Sequence, residues 1–154
     1  MGSGKSSIGK KLSKVMKFDF VDTDNLIEEN TGVDIPTIFE HEGEAGFRER
    51  EKNILREISN CQRTVIGTGG GIIISEKNRE IIKEMGFVVY LTASIKELFY
   101  RTEHDKNRPL INSNDAENKI RDIINDRKEY YESSSDMKIS CLLYTSDAAD
   151  DTPC

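Results

Sequence analysis

The first seven residues, Met1-Gly2-Ser3-Gly4-Lys5-Ser6-Ser7, form the second half of the pattern G-x-x-x-x-G-K-[ST], whose chemistry is the cradling of phosphates. The glycines let backbone N–H groups turn inward, and the helix that follows aims its positive end at the anion. Lys5 adds a point charge, and the Ser6 hydroxyl is a hard oxygen donor for Mg2+. Gly2, Ser3, Gly4, Lys5, Ser6 and Ser7 are therefore the candidate nucleotide-binding residues. The bland alternative is a Gly/Ser-rich leader, but Ile8, Leu12, Val15 and Met16 follow at i, i+4, i+7 and i+8, so the loop is expected to open a helix with an apolar stripe.

Two carboxylates come next, Asp22 and Asp24, spaced to share a side if the chain there is extended. Beside a phosphate loop they divide the work. Asp22 is expected near Ser6, where both serve Mg2+, and Asp24 further out, where it would orient or deprotonate an acceptor hydroxyl. Asp-x-Asp also serves as a helix cap, and that reading stays open. Glu51 falls on the stripe Phe47, Ile54, Leu55, Ile58, with Arg48 three residues before it. A core-facing carboxylate needs a cationic partner, and Arg48 is in reach. Arg127 likewise interrupts the face that carries Ile123 and Ile124. Inward guanidinium groups call for an anion, and their planar fork suits a carboxylate, so Arg48 and Arg127 point to an acidic substrate.

Gly69-Gly70-Gly71 is either a plain turn or a place where backbone must approach a ligand with its N–H donors free. Residues 102–114 are long for a structureless connection, and Lys106 and Arg108 within them fit either a mobile lid or a solvated loop. An arginine on a closing lid can stabilise charge on a transferring phosphoryl group, which adds Arg108 to Lys5 and Asp24 as a candidate catalytic residue.

These residues need a frame. Strands are expected at 18–21, 64–66, 87–91 and from Met137 to about Leu143. Helices are expected after the phosphate loop, at 26–30, at 44–59 beyond another one capped by Asp34, and at 76–85, 95–101 and 116–131. Such alternation implies an α/β fold with one parallel sheet covered on both faces and ligands at the carboxyl ends of its strands. The phosphate loop, Asp22/Asp24 and Gly69–Gly71 then converge on one edge.

With 154 residues the chain is one domain. Of its net charge of −6, half comes from Asp147, Asp150 and Asp151 near the end. No basic stripe suits nucleic acid and no apolar run suits a membrane, leaving small molecules as the expected partners. Cys61, Cys141 and Cys154 lack metal-ligand spacing and read as reduced thiols of a cytoplasmic protein, while His41 and His104 read as surface or loop.

Taken together and in order, Met1-Gly-Ser-Gly-Lys-Ser, Asp22-Thr-Asp24, Phe47-Arg48-x-x-Glu51, Gly69-Gly70-Gly71, Arg108-Pro109-Leu110 and Arg127 closely resemble the shikimate kinase family over about residues 1–140. The resemblance implies a three-layer phosphate-loop fold with a five-stranded parallel sheet ordered 2-3-1-4-5, and transfer of phosphate from ATP to the 3-hydroxyl of shikimate on the way to chorismate and the aromatic amino acids. It implies that Lys5 contacts the phosphates, that Ser6 and Asp22 serve Mg2+, and that Asp24 holds the accepting hydroxyl. Arg48, Arg127 and the Gly70–Gly71 backbone would bind shikimate, with Arg108 as the lid arginine. A monomer is expected.

The resemblance also implies a strand and a glycine ahead of the position of Met1, and an adenine-clasping loop and final helix after the last strand. Residues 142–154 do not look like that ending, so the kinase-like domain is drawn as 1–141, and the chain as it stands is expected to be poorly stable and nearly inactive. The competing readings are a gluconate or nucleotide kinase of the same phosphate-loop class, or a noncatalytic fragment or binding module.

Overall fold

The structure is a computed structural model that describes residues 2–102 and 115–141. The helix after the phosphate loop, α1 (Lys5–Met16), is followed by β1 (Asp19–Asp22), α2 (Thr23–Thr31) and α3 (Ile35–Ile58). Then come β2 (Thr64–Gly67), a 3-10 turn at Ile72–Ile74, α4 (Glu76–Met85), β3 (Val89–Thr92), α5 (Ile95–Thr102), α6 (Ala116–Ser134) and β4 (Met137–Ser140).

Local chemistry sets these boundaries. The Asp22 side chain caps α2 by accepting from the Asp24 and Asn25 N–H groups, and Gly32 ends that helix at φ 73°. Asp34 caps α3 through the Thr37 N–H, and Ser75 caps α4 through that of Asn78. The helix expected at 44–59 is the second half of α3, because the helix begun at Asp34 is interrupted by Gly43 at φ 68° and ψ −176° and resumes at once. A glycine tolerates that left-handed φ where other residues are strained.

β1 pairs with β2 and β3 with β4, both in parallel register, Asp19 opposite Thr64 and Val89 opposite Met137. Parallel pairing requires a crossover, supplied by α2 and α3 in one case and by α5 and α6 in the other. The resemblance implies a five-stranded sheet, order 2-3-1-4-5, whose first strand falls ahead of Met1; the described residues form two two-stranded sheets, and no ladder joins β2 to β3. The alternation of strand and helix places both pairs as expected; what is missing is a bonded neighbour between them.

The main core joins Ile27, Ile35, Ile38, Phe47, Ile54 and Ile58 with Val21, Ile66 and Met85 packed against them, while Leu98 and Ile120 centre a second cluster. Helix α1 departs from expectation. Leu12, Val15 and Met16 are exposed, and the buried positions are Gly9 and Ser13. The reason is close packing on β1: a Cβ on Gly9 would lie 2.5 Å from the Phe20 ring, so this small-residue face is the one that can press against the strand.

Candidate active site

The phosphate side is built by the turn from loop into α1. Gly2 and Gly4 have φ of 62° and 90°, values that favour glycine, and Gly4 starts the helix whose next residue is Lys5. Helix α5 holds the loop from behind. Arg101 donates to the Gly2 carbonyl at 3.0 Å, and a Cβ on Gly2 would lie 2.8 Å from the Thr102 methyl. Ser3 is buried, Lys5 half-buried, and Ser6 and Ser7 exposed.

The Ser6 hydroxyl donates to Asp22 Oδ2 at 2.8 Å, so the two expected metal ligands meet. Asp22 Oδ1 meanwhile accepts from the Asp24 N–H at 3.0 Å, so the capping and metal-side readings of this residue are both compatible with one rotamer. An alcohol and a carboxylate oxygen at this separation fit a hard cation. Among the described residues no group of three or more acidic, histidine or cysteine side chains could hold a metal. Mg2+ keeps several waters and leans on substrate phosphates, so two oxygen donors such as those of Ser6 and Asp22 can serve it.

Across the edge of β1 and β2 lies a second, more buried cluster. Asp24 lies in the first turn of α2, and the fully buried Thr23, which begins the helix, accepts the Gly69 N–H at 3.0 Å. A Cβ on Gly69 would lie 2.7 Å from Asp24 Oδ1 and 2.9 Å from Glu51 Oε1, so the glycine lets two carboxylates close over the backbone. Glu51, 1% exposed, accepts from Arg48 Nη1 at 2.6 Å, while Arg48 Nη2 reaches the exposed Glu44 at 3.0 Å. A Cβ on Gly71 would collide with the Arg48 guanidinium, which is why this backbone and that side chain can touch.

Burial pushes the Glu51 carboxyl up from its ordinary range; Arg48 opposes this, and the nearby Asp24 charge adds to it. Burial works against the Arg48 charge too, but Glu51 and Glu44 outweigh it and the guanidinium is held more firmly protonated than usual. Glu51 Oε1 is buried without a hydrogen-bond partner.

Helix α6 brings in Arg127, 9% exposed, with no carboxylate in ion-pair range among the described residues. Its charge is felt by Glu51 and by the Tyr131 hydroxyl one turn on. Tyr131 donates to the Gly70 carbonyl at 2.5 Å.

The structure thus brings together Ser6 with Asp22, and Asp24 with Glu51, Arg48 and Gly69–Gly71, with Arg127 beside them. Arg108 and Lys106 lie outside the described residues, as do His104 and the tail drawn from 142. Sequence reasoning missed Thr23, Tyr131 and Arg101. Thr23 carried a signal, a small hydroxyl between two functional acids, and Tyr131 another, its i+4 spacing from Arg127. Nothing in the spacing of Arg101 marks it as a partner of Gly2.

A helix opened by a glycine-rich phosphate loop, with an acid pair at the end of the adjacent strand, defines a phosphate-loop protein, and beyond that pair lies a buried cluster of Arg48, Glu51 and Arg127. The shikimate kinase family model matches residues 1–148. The chain is 44% identical over 140 residues to the shikimate kinase of Hahella chejuensis, covering 91% of this chain and 73% of that one. It is 46% identical over 131 residues to that of Nitrosospira multiformis, covering 85% and 67%. Among solved structures, the shikimate kinase from Acinetobacter baumannii in complex with shikimate superposes with a TM-score of 0.91 at 40% identity, over 94% of this chain and 80% of that one. The enzyme from Aquifex aeolicus gives 0.77 at 33% identity, over 91% and 82%. The chain belongs to the shikimate kinase family.

Proposed function

We propose that this protein transfers the γ-phosphate of ATP to the 3-hydroxyl of shikimate, giving shikimate 3-phosphate for chorismate and aromatic amino acid synthesis. The observation that carries this reading is the buried Arg127 without a carboxylate partner, set beside an Arg48 that already has one in Glu51. Arg127 bonds the Tyr131 hydroxyl and feels the Glu51 charge but has no carboxylate in direct contact, and an anionic substrate group would complete it. A shikimate carboxylate fits that demand, and a ligand hydroxyl would satisfy Glu51 Oε1. Neither a nucleoside base nor a neutral alcohol explains the pair of arginines.

In this reading Lys5 and the backbone of Gly2, Ser3, Gly4, Ser6 and Ser7 hold the phosphates, and Ser6 with Asp22 would hold Mg2+, which would supply charge neutralisation during the transfer. Asp24 orients the acceptor hydroxyl and takes its proton. Arg48, Arg127 and the N–H groups of Gly70 and Gly71 hold shikimate, and Arg108 acts from the lid. The two strand pairs are read as the flanks of a five-stranded sheet, with a further strand between β2 and β3 and the kinase domain drawn as 1–141. The same reading takes the protein as a monomer working in the cytoplasm on small molecules alone.

The test is MgATP-dependent phosphorylation of shikimate, gluconate and nucleoside monophosphates in parallel. It is run on the chain and on a version carrying a family-like strand and glycine ahead of Met1. Turnover of shikimate alone is expected. Turnover of gluconate or a nucleotide in its place would overturn the assignment, and activity gained only in the extended version would support the added strand.

A further inference from the structure

We propose that Tyr131 is a positioning residue for substrate, one that aims the Gly70–Gly71 peptide; this rests on the shikimate reading above. Its hydroxyl donates to the Gly70 carbonyl at 2.5 Å across 61 residues of sequence, and its ring stacks on Tyr90 of β3 with centroids 4.9 Å apart and planes 22° apart. The stacked ring and the helix together fix where the hydroxyl stands. In a trans peptide the carbonyl of one residue and the N–H of the next point opposite ways. Holding the Gly70 oxygen toward α6 therefore turns the Gly71 N–H away from it, and that N–H has no partner among the described residues.

The need for such a clamp follows from the glycines themselves. A triple glycine has more backbone freedom than any other tripeptide, and a donor that wanders binds weakly. Two side chains restrain this one. Thr23 takes the Gly69 N–H at one end, and Tyr131 takes the Gly70 carbonyl in the middle. Tyr131 also stands one helical turn from Arg127, whose charge lies close enough to act on its hydroxyl, so one helix face sets both an anion-binding guanidinium and the orientation of the loop it faces. Burial raises the Tyr131 hydroxyl above its ordinary range, with Arg127 opposing, which keeps it a donor at working pH.

The experiment is Tyr131→Phe in the full chain, which keeps the ring and its stacking and removes only the hydroxyl. Shikimate affinity is measured by calorimetry, ATP affinity in parallel, and the carbonyl carbon of Gly70 and amide nitrogen of Gly71 by NMR. We expect shikimate to bind about three- to tenfold more weakly; because the hydroxyl also meets the Arg127 side chain, the Gly70 and Gly71 signals are what assign the loss to the peptide. ATP affinity should be unchanged, and both NMR signals should shift without shikimate present. Where turnover is measurable, KM for shikimate should rise with little change in kcat. Unchanged shikimate affinity in Tyr131→Phe, with the wild-type chain binding normally, overturns the role of Tyr131 and leaves the substrate assignment standing. A fall in ATP affinity equal to that for shikimate would mark a merely structural residue and likewise overturn it. Failure of the wild-type chain to bind shikimate overturns both readings.

Discussion

Ser6 and Asp22, which meet on the phosphate side, are exposed and half-buried, whereas on the acceptor side Glu51 is 1% exposed and Arg127 9%. The phosphate side relies on backbone conformation, two glycines at positive φ and a helix start, with side chains added at its rim. The acceptor side relies on buried charge: an ion pair, a second guanidinium without one, and a glycine loop tied by Thr23 and Tyr131. Backbone donors recognise phosphate wherever it occurs, so that half needs little preorganised charge. Buried ionised groups are expensive and hold their worth only when a ligand completes them, so in the proposed reading the second half would carry the specificity.

The contrast can be broken hardest at the residue between the two halves. Asp24→Asn, in a form of the enzyme that turns over shikimate, should lower kcat by about 10²–10⁴, the usual worth of a general base, while nucleotide affinity stays near normal. A titration with ATP beside the steady-state assay checks both. Near-normal turnover would remove Asp24 from the chemistry.

Next in size is Glu51→Gln. It leaves Arg48 with only the exposed Glu44 as counter-ion, and breaking a buried pair costs about 3–5 kcal/mol, with the lower end expected here because Glu44 remains. Denaturant unfolding should show this as a large loss of stability, with shikimate binding reduced in whatever fraction stays folded. A loss under 1 kcal/mol would mean that the pair is as cheap as a surface one.

Arg127→Ala should weaken shikimate by about 10- to 150-fold, since a hydrogen bond to a charged group is worth about 1.5–3 kcal/mol. ATP affinity should hold, while stability falls modestly, because the Arg127 side chain also bonds the Tyr131 hydroxyl and its charge offsets that of buried Glu51. If ATP binding fails instead, Arg127 belongs to the nucleotide and the anion assignment is wrong.

The smallest effect sharpens the comparison from the other direction. Glu44→Gln removes an exposed i, i+4 partner of the same arginine that Glu51 grips, and exposed pairs contribute about 0–1 kcal/mol. Melting should therefore change little, and salt should abolish what difference there is. A loss as large as that of Glu51→Gln would show that Glu44, not burial, holds Arg48 in place.

How far the sequence reveals this molecule depends on whether a residue's role is periodic. Glu51 and Arg127 betray themselves by sitting on apolar helix faces, and their burial follows. The Asp34 cap and the stop at Gly32 are readable because capping is local. The apolar stripe of α1 misled because hydrophobic pattern predicts the inward face only when a partner covers it. Here the strand takes the small-residue side, and Leu12, Val15 and Met16 face solvent. Arg101 on the Gly2 carbonyl and Tyr131 on the Gly70 carbonyl were beyond reach for another reason: each spans many residues to meet a backbone atom, and backbone atoms leave no trace in sequence.

The contact between Gly9 and the Phe20 ring has a consequence for the Ser6–Asp22 pair. Gly9 lies one turn beyond Ser6 on α1, and Phe20 lies two residues before Asp22 on β1. The thickness of that glycine–ring contact is thus the spacer that gauges the gap between the two oxygens across it. A methyl at position 9 would act as a shim, levering helix from strand and prying open the 2.8 Å separation of Ser6 and Asp22 without touching either.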